Sequence, residues 1–496
     1  MQWLALRALL TAALALALSA LDPFGISTRT EQISEDVFYQ VYAPLVQGRV
    51  SPEPVVVRVT PESLDRLSEV TKERWAWPLT HGQQAKLLNA LVGMEPKAVF
   101  FDFVFGTVRE GHDEFMRAIS GAIGPGYALP RDCTGRRAPD YQGLRIFVAQ
   151  SSPNAKPYAG LCESGAEPVA IGWQGLGSKY PLSVAYGADT ELPAILPTAA
   201  VALWEAMCSS EAIRGKPGGA QICAPHDPNT AFSVVWSTGV SPQQGNVAPI
   251  EKQCFVTPSN PVERTQRFWE QIHVGLLKAV RLVPLDKGRF ACISPFTLTI
   301  DQVILANPGR DRDIHALIQS RIEGNAVLIG LDFGGLGDVI VSPVHGTIPG
   351  VMLHAHALEN LLRYDTNTLV RRPESSLFLS AQAALVNGLV MVLGIGLFFG
   401  ATSRIRAAER DGTGLTASVA WSDVVFGLIA WVVIILIAFG AAFFAFETLR
   451  LPPSYWLTGW IAVFLGTADT FGKAVISAVM VTVRGPVPPD DYEDDA

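Results

Sequence analysis

Charge is what this chain has least of. Only 17% of its 496 residues are Asp, Glu, Lys or Arg, the net charge is −8, and no basic stripe runs through the sequence. Nucleic acid is therefore not an expected partner. Other absences narrow the chemistry. No CxxC pair occurs, which argues against a zinc knuckle or thioredoxin-like site, and no GxSxG elbow presents a nucleophilic serine. The glycine run Gly334-Gly335-Leu336-Gly337-Asp338 lacks the Lys and Ser/Thr of a phosphate-binding loop, and Asp332 and Asp338 would repel phosphate, so it reads as a turn. No internal repeat is visible, and no cofactor is expected.

With charge so scarce the mean hydropathy is positive, which points to a membrane protein with a sizeable part outside the bilayer. Residues 1–21 carry a Leu/Ala run from Leu4 to Leu21, read as a retained anchor or a cleaved signal; either exports the residues after it. Residues 373–484 hold three further candidate spans: Ser375–Ala401, Asp423–Phe446 and Tyr455–Val483. Arg404, Arg406 and Arg410 between the second and third spans place that loop in the cytoplasm, which puts residues 22–372 outside and the acidic tail 485–496 inside. The last span contains Asp469 and Lys473, four apart with the acid first, the better order for a helical ion pair. At membrane depth such a pair is a candidate for coupling to a partner.

All six cysteines, Cys133, Cys162, Cys208, Cys223, Cys254 and Cys292, fall in the exported part. An even number confined to the oxidising side suggests up to three disulfides, with the pairing open. Short apolar strands alternate there with helical patterns: strands at Pro54–Val59, Ala98–Val104, Arg145–Gln150 and Ala326–Leu331, helices at His81–Val92, His112–Ile119, Leu196–Cys208 and Met352–Tyr364. That alternation predicts an α/β domain with a largely parallel sheet covered on both faces. A Pro-, Gly- and Ser-rich, Cys-containing segment, 130–292, reads as a loop-rich elaboration, and a proline-punctuated loop is expected between Asp338 and Pro349.

Candidate ligand-binding residues are suggested by position. Asp102 interrupts the apolar run Phe100–Val104, either as a site carboxylate at the carboxyl end of a strand or as a loop cap. Asp113 and Asp338 are its possible companions. Trp75 and Trp77 precede a helix, where they could stack a ligand or pin a loop to the core. His345, His354 and His356 invite a metal, but His354 and His356 are two apart, and on a helix they point about 200° away from each other.

Three stretches together resemble the CHASE2 family: VVVRVTPESLDRL (Val55–Leu67), RWAWPL (Arg74–Leu79) followed by AVFFDFVFG (Ala98–Gly106) with Asp113 beyond, and the segment from Asn325 to Arg363 with Asp338, Pro343, Pro349-Gly350 and His354-Ala355. Departures are Thr60, where the family commonly has an acidic residue, and Leu79-Thr80, where an arginine is usual. The resemblance implies an extracytoplasmic sensor domain in a bacterial inner membrane protein, with one anchor before it and three helices after. Family members usually continue into a cytoplasmic output domain, which is not expected in the dozen residues after Arg484. The expectation is a multi-pass sensor with a periplasmic domain. It would bind an envelope ligand or protein and signal to a separate partner, or act as a homo-oligomer. The alternatives are an assembly subunit of a membrane complex, or a periplasmic enzyme using Asp102, Asp113 and Asp338 around a cation.

Overall fold

A computed structural model describes most of residues 53–124, 141–248 and 295–364, with short pieces at 35–43 and helical segments at 417–449 and 471–483. The chain divides into two compact units, residues 39–371 and a second made of residues 1–38 with 372–496.

The first unit is built on six parallel strands, β1 (Val55–Val59), β2 (Ala98–Val104), β3 (Arg145–Gln150), β4 (Glu167–Ala170), β9 (Phe296–Thr299) and β10 (Ala326–Leu331), in the order β4-β3-β2-β10-β1-β9. Among the described residues there are also three two-stranded pairs: β5 (Tyr180–Pro181) with β8 (Ala231–Phe232), β6 (Ser183–Tyr186) with β7 (Ala194–Pro197), and β11 (Val339–Ser342) with β12 (Gly346–Pro349). The central strands read as continuous apolar runs because helices cover both sides of a parallel sheet.

Alternation along each strand sorts the core. Val57, Phe101, Val148 and Ile329 face one side, under the helices α1 (Pro61–Thr71), α2 (His81–Val92) and α3 (His112–Ile123), together with Ile300–Ile304 and Arg312–Ile322. Local chemistry starts these helices. Thr60 and Ser63 form a reciprocal capping box, as do Thr80 and Gln83. Phe100, Asp102 and Gly330 face the other side, covered by α4 (Ala199–Cys208) and α5 (Gly350–Arg363). The Pro/Gly/Ser-rich middle thus supplies half of that second cover. The helix expected from Leu196 begins at Ala199, because Pro197 closes β7 and Thr198 takes an extended backbone before the first turn.

The proline-punctuated loop is instead the antiparallel hairpin β11–β12. Its turn is held by Ser342 Oγ, which accepts from the N–H groups of Val344 and His345 at 3.2 Å each. The glycine run Gly334–Gly337 lies outside the described residues. Cys208 at the end of α4 is bonded to Cys223, and Cys162 is also in a disulfide; Cys133, Cys254 and Cys292 lie outside the described residues.

In the second unit, the 33-residue helix Ala417–Leu449 contains the stretch Val424–Phe444, long and apolar enough to cross a bilayer. The shorter apolar helix Ala474–Val483 packs on it through Val424, Ala474, Ala478 and Val481, with Trp421 Nε1 donating to Thr482 Oγ1 at 3.0 Å. The spans expected at Leu4–Leu21 and Ser375–Ala401 lie outside the described residues, as do Asp469 and Lys473.

One ion pair is fully enclosed. Arg145, at the start of β3, donates from Nε (2.8 Å) and Nη2 (2.6 Å) to the two oxygens of Glu167 on β4, and both side chains are 2% exposed. Removing one member strands the other charge. Glu167→Ala should therefore lower unfolding stability by about 3–5 kcal/mol, whereas Arg145→Met with Glu167→Leu should cost far less. Denaturant titration of the two variants against the parent checks this; equal losses would overturn it.

Candidate functional site

The carboxyl end of β2 is irregular. Phe101 pairs with Val148 of β3, yet the next paired residue is Val104 with Ala149, so Asp102 and Phe103 form a bulge. Alternation along the strand sends these two side chains to opposite faces of the sheet, and each meets a different group of residues.

On the second face Asp102 is buried, and its Oδ2 has no hydrogen-bond partner. The reading of Asp102 as a loop cap fails on that oxygen. Burial, and then the charge of Asp338, raises its carboxyl well above the usual carboxylate range; burial raises Asp338 as well. Hairpin register brings Asp338 there. Val339 pairs with Pro349, so Asp338 lies beside Gly350 at the first turn of α5, and its carbonyl accepts from the Gly350 N–H at 3.0 Å. Its Oδ1 comes within 2.3 Å of where a Gly350 Cβ would stand, so any larger residue there would have to move the Asp338 carboxyl.

His354, one turn along α5, lies edge-on to Phe100 and 2.7 Å from the Tyr180 hydroxyl. That hydroxyl also accepts from the Ala200 N–H at 3.0 Å, leaving its proton for His354 Nδ1. Burial lowers His354 to about 3 and raises Tyr180, so both are neutral at physiological pH. The buried Asp102, His354 and Tyr180 form with the half-buried Asp338 a polar cluster under the carboxyl ends of the strands, roofed by α5.

Asp113 does not join it. It is exposed in the first turn of α3, on the other face, where Phe115 packs on Phe101. Nearness in sequence suggested the pairing, and the alternation of side chains across the sheet separates the two. His356 points away from His354, stacking on His345 and packing at a tilt against Trp236. Among the described residues, no three metal-binding side chains are grouped to hold an ion.

The tryptophans divide. Trp75 is buried and donates from Nε1 to Thr71 Oγ1 at 3.1 Å, pinning the loop to α1. Trp77, half-buried and joined to Pro78 by a cis peptide, packs against Phe103 at 5.1 Å on the first face. Tyr180, His81, Gln84 and Arg109 also line these two groups. Of these only Gln84 carried a signal in the sequence, as a polar residue among the apolar positions of α2.

A parallel α/β sheet covered on both faces, with its polar side chains gathered at the carboxyl ends of the strands, is the architecture of a binding domain. The chain belongs to the CHASE2 family, whose domain profile matches residues 9–398. CHASE2 is an extracytoplasmic sensor domain. No curated protein and no solved structure matches the chain.

The raised carboxyls have a pH consequence. Between the ordinary carboxylate range and its raised folded value, Asp102 binds more proton in the fold than in the unfolded chain. Its stabilisation is complete below about pH 4 and is lost as pH rises through the folded value. Asp102→Asn is neutral throughout. The melting temperature of the full-length variant should match the parent near about pH 4 and exceed it increasingly toward neutral pH. A difference that stays flat or reverses would overturn the assignment.

Proposed function

We propose that this chain is a membrane-anchored sensor that binds an extracytoplasmic ligand or protein and passes a conformational change to a partner that reads it. The observation that carries this reading is α5. Its first turn closes over the polar cluster, and its last residue, Arg363, precedes by a few residues the Arg371-Arg372 pair and the apolar run Ser375–Ala401.

The helix is seated closely. A Cβ at Gly330 of β10 would stand 2.3 Å from Val351 Cβ, so backbone and helix approach as nearly as glycine permits. Farther along, Asn360 accepts from the Val235 N–H at 2.6 Å and donates to its carbonyl at 2.9 Å. Packed interfaces of this kind move between discrete positions instead of deforming smoothly. A change at the end of β2 would reach α5 through Asp102 and Asp338. In this reading the chain is a multi-pass inner-membrane protein with a periplasmic domain, and the movement is read through the arginine loop, the acidic tail or the Asp469/Lys473 pair.

The second reading is an assembly subunit with a permanent protein partner. It is favoured by Val339 and Val341, which stand exposed on one side of β11, 47% and 67% accessible. Purification in mild detergent separates the two: a stoichiometric second protein supports assembly, an isolated homodimer supports sensing.

Gly330→Ala tests the relay. The added methyl must push α5 from its seat. A photocrosslinker at Arg406 of the full-length protein in cells should capture a partner, with a yield that changes at least twofold in the variant. If hydrogen exchange shows α5 displaced while the yield stays constant, the relay is wrong.

A further inference from the structure

On the other face of the β2 end is a cavity of about 40 Å³, lined by Trp77, His81, Gln84, Phe103, Phe105 and Arg109, with the exposed Val104 and the hydroxyl-bearing Thr107 at its rim. At water's liquid volume of about 30 Å³ it holds one to two waters, room for a carboxylate-sized polar group with the rest of a ligand lying outside.

Its polar groups are fixed before anything enters. Gln84 is 2% exposed and its Oε1 has no hydrogen-bond partner, a buried acceptor awaiting a donor. The Arg109 N–H donates to His81 Nδ1 at 3.3 Å, which places the imidazole proton on Nε2. Burial, then the charges of His112 and Arg109, lowers His81 to about 4, so the ring stays neutral and a donor. The loop holding Arg109 is tied to α2 by the Gly82 N–H donating to Glu110 O at 3.2 Å. Arg109 Nη1 donates to Leu79 O at 3.2 Å, and no carboxylate among the described residues pairs with the guanidinium.

A fixed cation suits a carboxylate, whose two oxygens match the guanidinium fork. An unsatisfied carbonyl oxygen beside it needs an O–H or N–H donor on the same small ligand. Aromatic walls and an acceptor disfavour a hydrated phosphate, which brings only more oxygens. We infer that this cavity takes the head of a short α-hydroxy or α-amino carboxylate, its carboxylate on Arg109, its α-donor on Gln84 and its remainder along Trp77. The inference rests on the sensor reading and gives it an entry point, because Phe103 in the cavity wall is the neighbour of Asp102 across the bulge.

Calorimetric titration of the detergent-solubilised full-length protein tests it, with glycolate, lactate, glycine and alanine as probes and acetate as the analogue lacking the donor. At least one probe should bind saturably and about tenfold tighter than acetate, the worth of one buried hydrogen bond. Hydroxy acids alone or amino acids alone binding identifies the source of the donor. Gln84→Leu should bring the preferred probe to the acetate level. Arg109→Met, in a partly exposed loop, should abolish binding of all five.

Absence of saturable binding by all four probes, acetate binding as tightly as they do, or unchanged binding in Arg109→Met each overturns the assignment. Ligand binding that persists while the Arg406 crosslink ignores Gly330→Ala would sink the relay and leave this site standing. A responsive crosslink without binding would do the reverse.

Discussion

The architecture of the first unit depends on how a carboxyl group is accommodated inside a parallel sheet. Asp102 occupies a position that an apolar residue would fill at no cost, with one oxygen unpartnered and a second carboxylate, Asp338, close enough to oppose its ionisation. Such a group persists only when its surroundings hold it in place. Here that is the work of the β2 bulge, the β11–β12 hairpin and α5 together. The hairpin register delivers Asp338, the absent side chain of Gly350 leaves room for it, and the absent side chain of Gly330 lets α5 sit down on the sheet. Burial and the neighbouring Asp338 carboxylate both favour the uncharged form of Asp102 beneath the first turns of α5.

The bulge ties this interior to the surface. Along a regular strand, residues 102 and 103 would each keep a paired neighbour on β3; here both are left without one. One side of the irregularity carries a buried acid against α5. The other carries Phe103 in an aromatic-walled cavity with a fixed cation. Two environments of opposite character therefore share a single dipeptide, and the shortest path between them is one peptide unit.

Much of the frame was legible in the sequence. Ala98–Val104, His81–Val92 and Ala326–Leu331 are found with the bounds that apolar periodicity predicts, because long patterned segments leave few alternatives. The hairpin was hidden, since four-residue strands around Pro343 carry too little pattern to outweigh the proline. Tyr180 was hidden for another reason. It lies in a two-residue strand within a Pro- and Gly-rich stretch, and only tertiary folding brings it to His354. Asp113 shows the opposite error, nearness in sequence taken for nearness in space. Gln84 was within reach: a polar side chain at a buried helical position asks what it binds.

The order of strands has a consequence for biogenesis. β1 sits between β10 and β9, so the first strand made finds both neighbours only when roughly 270 further residues have been synthesised, some 15–50 s later at ribosomal rates of about 5–20 residues per second. Until then Val55–Val59 is a bare apolar edge with two unfilled ladders. The domain cannot mature from its front end as it emerges. Its first-made apolar edge stays open to mispairing for the whole of that interval.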